Sequence, residues 1–216
     1  MRPQIPVRPG IRLAVLAAAV AVATVLSSHP IAYVLTGPTW AAAQVPYYVN
    51  TANLDLPANA VESAVRYGAD LWPAQSGVGL HFLFAGQTTQ TATTNDGINL
   101  VVFRNASNGG AIATTYWWSN GSHIVDADII FWDGAFQFFA GSSGCAGGFY
   151  IEDIAAHEFG HALGLGHSAS TAATMYFSVS SCDTRNRTLD SDDIAGVRAL
   201  YPLQQLPIKP TGLRVS

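Results

Sequence analysis

Apolar and polar positions alternate along the chain in a way that marks several short strands and three helical stretches. Residues 45–49 (Val-Pro-Tyr-Tyr-Val) read as a first strand near a sheet edge, because Pro46 cannot donate to a ladder. From Asn59 onward Val61, Ala64, Val65, Gly68, Leu71 and Trp72 recur at helical spacing; Asn59 and Glu62 form a capping pair, and Pro73 is expected to stop the helix. Residues 80–84 and 98–103 are strands by their β-branched and aromatic content, with a Gln/Thr-rich loop between them. Residues 111–118 form a further strand. Over 124–132 the alternation puts Val125, Ala127, Ile129 and Phe131 on a core face, and turns Asp126 and Asp128 toward a solvated polar face, with calcium as the alternative. A Gly/Ser-rich loop over 141–148 leads into a helix bearing histidines. A final helix over 190–201 starts among acidic residues, which suit its positive end, and stops at Pro202. Strands and helices do not strictly alternate, so the expected fold is an α+β domain with a mixed sheet covered by helices.

Composition narrows the function classes. The chain has 216 residues, 49% hydrophobic and 11% charged, which suits one packed domain with flanking segments and excludes a disordered chain. A formal charge of −4 without any Lys/Arg cluster argues against nucleic acid as a partner. The first residues carry Arg2, Arg8 and Arg12, then an apolar run over 13–26, then small and polar residues ending in Ala41-Ala42-Ala43-Gln44. These are the three parts of a secretory signal over 1–43, with cleavage after Ala43 and a folded domain over 44–201. The rival is an uncleaved anchor over 13–35, which His29-Pro30 interrupts. The product is then secreted and extracellular, with no stable membrane partner unless the signal segment is retained. In that setting Cys145 and Cys182, the only cysteines, are expected to form a disulfide enclosing the histidine motif, two free thiols being the alternative.

The chemistry lies in residues 157–167, His-Glu-Phe-Gly-His-Ala-Leu-Gly-Leu-Gly-His. His157 and His161 are four apart, so both imidazoles leave one helix face and can grip a single ion. Catalytic zinc takes three protein ligands and a water, and His167 supplies the third if the backbone leaves the helix at Gly164. Glu158 then lies beside the metal without ligating it, placed to take a proton from the bound water and pass it to a departing amine.

The eleven-residue motif resembles that of the matrixins, the matrix-metalloproteinase branch of the metzincin zinc peptidases, in the style of their short bacterial members. The resemblance extends over residues 45–201. It implies a metzincin zincin-like fold with a five-stranded mixed sheet, two long helices, an active-site cleft and a small C-terminal subdomain ending in a helix. Ser168, directly after the third histidine, is the matrixin choice at that position. Ala173-Thr174-Met175-Tyr176 looks like the family's Met-turn, which implies Met175 as a hydrophobic floor beneath the zinc. It also implies an extended substrate pairing with the edge strand at Ala111, Ile112 and Ala113, and a specificity pocket walled by the segment after Met175, with Tyr176 and Phe177 as lining.

The chain departs from the family in three places. Phe177-Ser178-Val179 stands where relatives usually have Pro-x-Tyr. Only His81 and His123 accompany the three ligand histidines in the domain, too few for a structural zinc site of three histidines and an aspartate. Neither cysteine lies upstream in a latency segment. Calcium stays open through Asp126, Asp128, Asp133 or Asp153. The tail over 202–216 reads as a Pro-rich linker or as the opening of a fibronectin type III module. The leading expectation is a monomeric zinc metalloendopeptidase acting on protein or peptide. Its alternatives are a catalytically inactive zinc-holding binding or adhesion module and an exported zinc hydrolase of another kind.

Overall fold

The computed structural model describes residues 31–203; the charged and apolar parts of the expected signal and most of the tail lie outside the described residues. The elements are β1 (Val34–Leu35), β2 (Thr39–Trp40), β3 (Gln44–Val49), α1 (Ala58–Ser76), β4 (His81–Gln87), β5 (Asn99–Phe103), β6 (Ala113–Asn120), β7 (His123–Phe131), β8 (Phe138–Phe139), β9 (Phe149–Tyr150), α2 (Ile151–Ala162), β10 (Leu165–Gly166) and α3 (Ser191–Leu200).

Five strands of five or more residues make the body of the sheet, and β2 adds a two-residue sixth. Strands β4, β3, β5 and β7 run parallel in that spatial order, β6 returns antiparallel along the far edge of β7, and β2 pairs parallel with the start of β7. The fold is a mixed, mostly parallel α/β layer with the helices against one face. Val45, Tyr47 and Val49 from the sheet, Val61, Val65 and Trp72 from α1, and Ile154, Ala155 and Phe159 from α2 close one continuous core. Trp72 Nε1 donates to Ala156 O at 2.8 Å, which ties the two long helices together where both are buried.

Several expectations from the sequence change. Pro73 does not stop α1: it sits in the last turn, its carbonyl accepts from Gly77 N at 2.9 Å, and the helix reaches Ser76. The lost N–H costs one bond, which the burial of Trp72 beside it outweighs. The helix starts at Ala58 without a side-chain cap, so Asn59 and Glu62 do not cap it. Val125 leaves the core face and is 41% exposed, because Trp118 pairs with Asp126 and Ser119 with Ile124, which makes Val125 the extra residue of a bulge.

The opposite face of β7 is not solvated. Asp126 and Asp128 are completely buried there beside a second small cluster of Leu100, Val102, Ile130 and Trp132. Asp126 Oδ2 accepts from Asp96 N and Gly97 N at 2.7 and 2.9 Å, and Asp128 Oδ1 from Leu100 N at 3.0 Å. The loop before β5 covers this face, and alternation alone does not report a covering loop.

The expected domain start at Gln44 falls inside the folded body. Val34 and Leu35 pair with Gly166 and Leu165, Thr39 and Trp40 with His123 and Ile124. Asp192 Oδ1 accepts from Ala32 N and Tyr33 N at 2.9 and 3.0 Å. Trp40 Nε1 donates to Ala162 O at 2.8 Å. Two-residue strands paired across more than a hundred positions carry no local periodicity, so this segment reads in sequence as the end of a leader.

Candidate metal centre and cleft

Helix α2 carries the first two histidines and the glutamate. Glu152 and Asp153 occupy its first turn, where negative charge suits the helix dipole, and most of its residues are buried. The helix ends at Ala162, and Gly164 takes φ +100° while its N–H reaches back to His161 O at 2.9 Å. A side chain at that φ is strained, and a Cβ there would also crowd Pro38 O at 2.8 Å. The chain therefore turns out of the helix, pairs as β10 with β1, and returns His167 to the face of His157 and His161.

The three imidazoles converge. His161 Nε2 lies 3.1 Å from His157 Nε2 and 3.2 Å from His167 Nε2. The Nδ1–H of His157 donates to Thr174 O at 2.7 Å and that of His161 to Leu165 O at 2.8 Å. These bonds fix both tautomers, so the Nε2 lone pairs face one another without a proton between them. Burial pushes His157 and His161 down to about 4, and burial also lowers His167, so the rings are neutral and free to ligate near pH 7. A tetrahedral zinc with bonds of about 2.0–2.1 Å has ligand nitrogens about 3.3 Å apart. The residues present fit that ion, and the histidine group is the one grouping of three metal-ligating side chains among the described residues.

Glu158 is 5% exposed, and its Oε2 accepts from Thr115 Oγ1 at 2.6 Å. Burial raises its pKa, against which His161 and Thr115 pull it down. Met175 is buried in a tight turn whose backbone is held by a single carboxylate: Asp193 accepts from Thr174 N at 2.7 Å, Met175 N at 3.0 Å and Asp190 N at 2.9 Å. In sequence Asp193 reads only as an acidic residue at a helix start; the Asp190–Asp193 capping box was the available signal.

A cleft of about 590 Å³ brings the histidines and Glu158 together with Ala111, Ile112, Ala113, Tyr176 and Phe177. Ala111 and Ile112 precede β6, and Ala113 opens it. Val179 also lines the cleft, as do Thr115, Trp117, Phe149 and Asn186, which carry no distinguishing mark in the sequence. Neither Met175 nor either cysteine is among the lining residues. The cysteines are joined as a disulfide with Cα atoms 5.5 Å apart, which ties the loop before α2 to the segment after Met175. Arg187 Nε to Asp153 Oδ2 at 2.6 Å and Asn186 N to Asp153 Oδ1 at 3.1 Å fasten the same segment to α2.

Of the four aspartates left open for calcium, Asp153 is thus engaged by Arg187 and Asn186, and Asp133 accepts from Leu54 N at 2.6 Å. Asp126 Oδ1 and Asp128 Oδ2 are buried without a hydrogen-bond partner, and burial together with Asp126 pushes Asp128 up to about 7.

Comparison with known proteins agrees with the geometry. The family model for matrixin matches residues 39–202. Human neutrophil collagenase is 51% identical over 59 residues, which is 27% of this chain and 13% of that protein. The hatching enzyme of Paracentrotus lividus is 32% identical over 179 residues, covering 78% of this chain and 27% of that protein. The interstitial collagenase of Equus caballus is 29% identical over 185 residues, covering 83% and 37%. This chain thus spans between about an eighth and somewhat over a third of the length of these relatives. With the family model spanning both the convergent histidines and the sheet that carries the cleft, the chain belongs to the matrixin family of zinc-dependent metalloproteases.

Proposed function

We propose that the protein is a secreted zinc metalloendopeptidase that hydrolyses peptide bonds of extended protein substrates, acting as a monomer and without nucleic acid. The observation that carries this reading is the convergence of three unprotonated imidazole nitrogens beside a buried carboxylate, at the floor of a cleft bordered by a strand with one free edge. His157, His161 and His167 would hold the zinc, and bound zinc lowers the pKa of a ligated water to about 7 and polarises a carbonyl.

The remaining work falls to the chain's own residues. Strand β6 pairs with β7 alone among the described residues, so its outer edge and the Ala111–Ala113 approach offer backbone groups to an extended peptide. Tyr176 and Phe177 border the same cleft, where a substrate side chain can enter. Glu158 takes the proton of the attacking water as the carbon–oxygen bond forms. It then delivers that proton to the amine nitrogen as the carbon–nitrogen bond breaks, so one carboxylate serves as base and acid. Relatives named as collagenases and as a hatching enzyme support a protein substrate. The disulfide supports an oxidising, extracellular setting, and among the described residues no helix is long and apolar enough to cross a membrane.

The test is casein or gelatin cleavage by the purified protein with and without a chelator, alongside Glu158→Ala. The expected result is chelator-sensitive cleavage, with zinc retained and turnover lost in the variant by roughly 100-fold or more. A zinc-loaded protein that cuts nothing favours the inactive binding module; full turnover in Glu158→Ala removes Glu158 as the base.

A further inference from the structure

We infer that Thr115 is a positioning residue for Glu158: from the strand that borders the substrate cleft it holds one carboxylate oxygen and leaves the other to the reacting water. This rests on the peptidase reading above. The hydroxyl of Thr115 has one hydrogen and two acceptors within reach, Glu158 Oε2 at 2.6 Å and the main-chain Glu158 O at 3.1 Å. The shorter, charge-assisted bond to the carboxylate is the stronger. No second protein donor reaches that carboxylate among the described residues.

The donor itself is rigidly placed. Thr115 lies in the β6–β7 ladder opposite Ile129, and a β-branched side chain has little freedom at χ1. A glutamate has three side-chain torsions, and ordering them at the moment of reaction would add to the barrier. Thr115 fixes them beforehand, which is how preorganised groups accelerate a reaction. The bond also spans the two halves of the machinery, since β6 has the free edge beside the cleft and α2 carries His157, His161 and Glu158.

Two variants separate this role from simple packing. Thr115→Val keeps the shape and the β-branch and removes the donor; Thr115→Ser keeps the donor. For the zinc-loaded protein, kcat is expected to fall about 10- to 100-fold in Thr115→Val. KM should stay within about two-fold and zinc content should be unchanged, since the bond is not to substrate. Thr115→Ser should recover most of kcat. A readout independent of turnover is thermal unfolding of the metal-free protein. There Thr115→Val should lower Tm by roughly 3–6 °C when Glu158 is present and by much less in a Glu158→Ala background. An unchanged kcat in Thr115→Val, an equal loss in Thr115→Ser, or the same Tm shift in both backgrounds overturns the inference. Absence of cleavage by the zinc-loaded wild type would defeat the peptidase reading instead, and the melting cycle would still decide the Thr115–Glu158 bond.

Discussion

Gly160 in the histidine helix lies directly against the sulfur of Met175, so that the motif and the buried turn fifteen residues farther on meet at a point with no room for a methyl group. The ring of Trp72 closes the same space. Glycine between Glu158 and His161 is therefore a packing requirement: the helix bearing His157 and His161 must lie close to the turn whose Thr174 O orients His157.

Gly160→Ala is expected to push Met175 or Trp72 aside, at a cost of about 1–3 kcal/mol for overpacking. Thermal unfolding should show a Tm lower by roughly 3–10 °C. Zinc affinity should fall with it, because His157 is held by the same turn. A variant that melts and binds zinc like the wild type would show that this contact is soft.

Residues 31–43 support the bend that returns His167 to the other two histidines. Thr36 N and Oγ1 both donate to Gly164 O at 2.9 Å, and Trp40 N donates to Tyr201 Oη at 3.1 Å. A chain starting at Gln44 is expected to be less stable than one starting at Ile31 by at least about 3 kcal/mol, the usual effect of losing a packed tryptophan. Urea unfolding of the two proteins measures the difference. Equal midpoints would mean that the segment is ornamental to the fold.

Asp128 gives a pH dependence whose sign follows from its raised value. In the unfolded chain the carboxyl has its ordinary value near 3.8, and in the fold burial and Asp126 push it up to about 7. Its stabilising contribution is fully present below about pH 4 and is lost as pH rises through about 7. Asp128→Asn keeps a neutral side chain at every pH and should therefore be more stable than wild type at pH 8, by on the order of 1–4 kcal/mol, and melt higher, with the gap closing toward pH 4. Tm profiles of both proteins between pH 4 and pH 8 check it; parallel curves would refute it.

The Cys145–Cys182 bridge spans 37 residues that include the whole histidine motif. Replacing both cysteines by serine is expected to cost about 4 kcal/mol by loop-closure reasoning. The cleft wall should loosen as well, because Cys182 N donates to Gly148 O at 2.9 Å beside Phe149. Denaturant unfolding gives the first effect, and relative cleavage of peptides with small and large side chains next to the scissile bond gives the second.

Much of the metal site was legible in residues 157–167, because a helical repeat of 3.6 residues puts His157 and His161 on one face wherever that helix lies. Gly164 marked the exit, since few other residues accept a φ of +100°. Other features had no local signature. Thr115 in a strand reads as β-propensity, and Trp40 reads as part of a leader until its indole is seen on Ala162 O. The alternation over β7 turned Asp126 and Asp128 away from the main core, yet their burial depends on a loop some thirty residues earlier.

The linear chain by itself thus determined that His157 and His161 share one helix face, that Glu158 follows the first of them, and that the domain mixes strands with helices. These are consequences of short-range geometry, the spacing of side chains on one helix and the period of two along a strand. Only the tertiary structure decided how the third imidazole is carried back, what holds Glu158, which face of β7 is dry, and that residues 31–43 belong to the body. Each of these depends on contacts between positions far apart in the chain, whose energies are set by packing and desolvation rather than by any local preference.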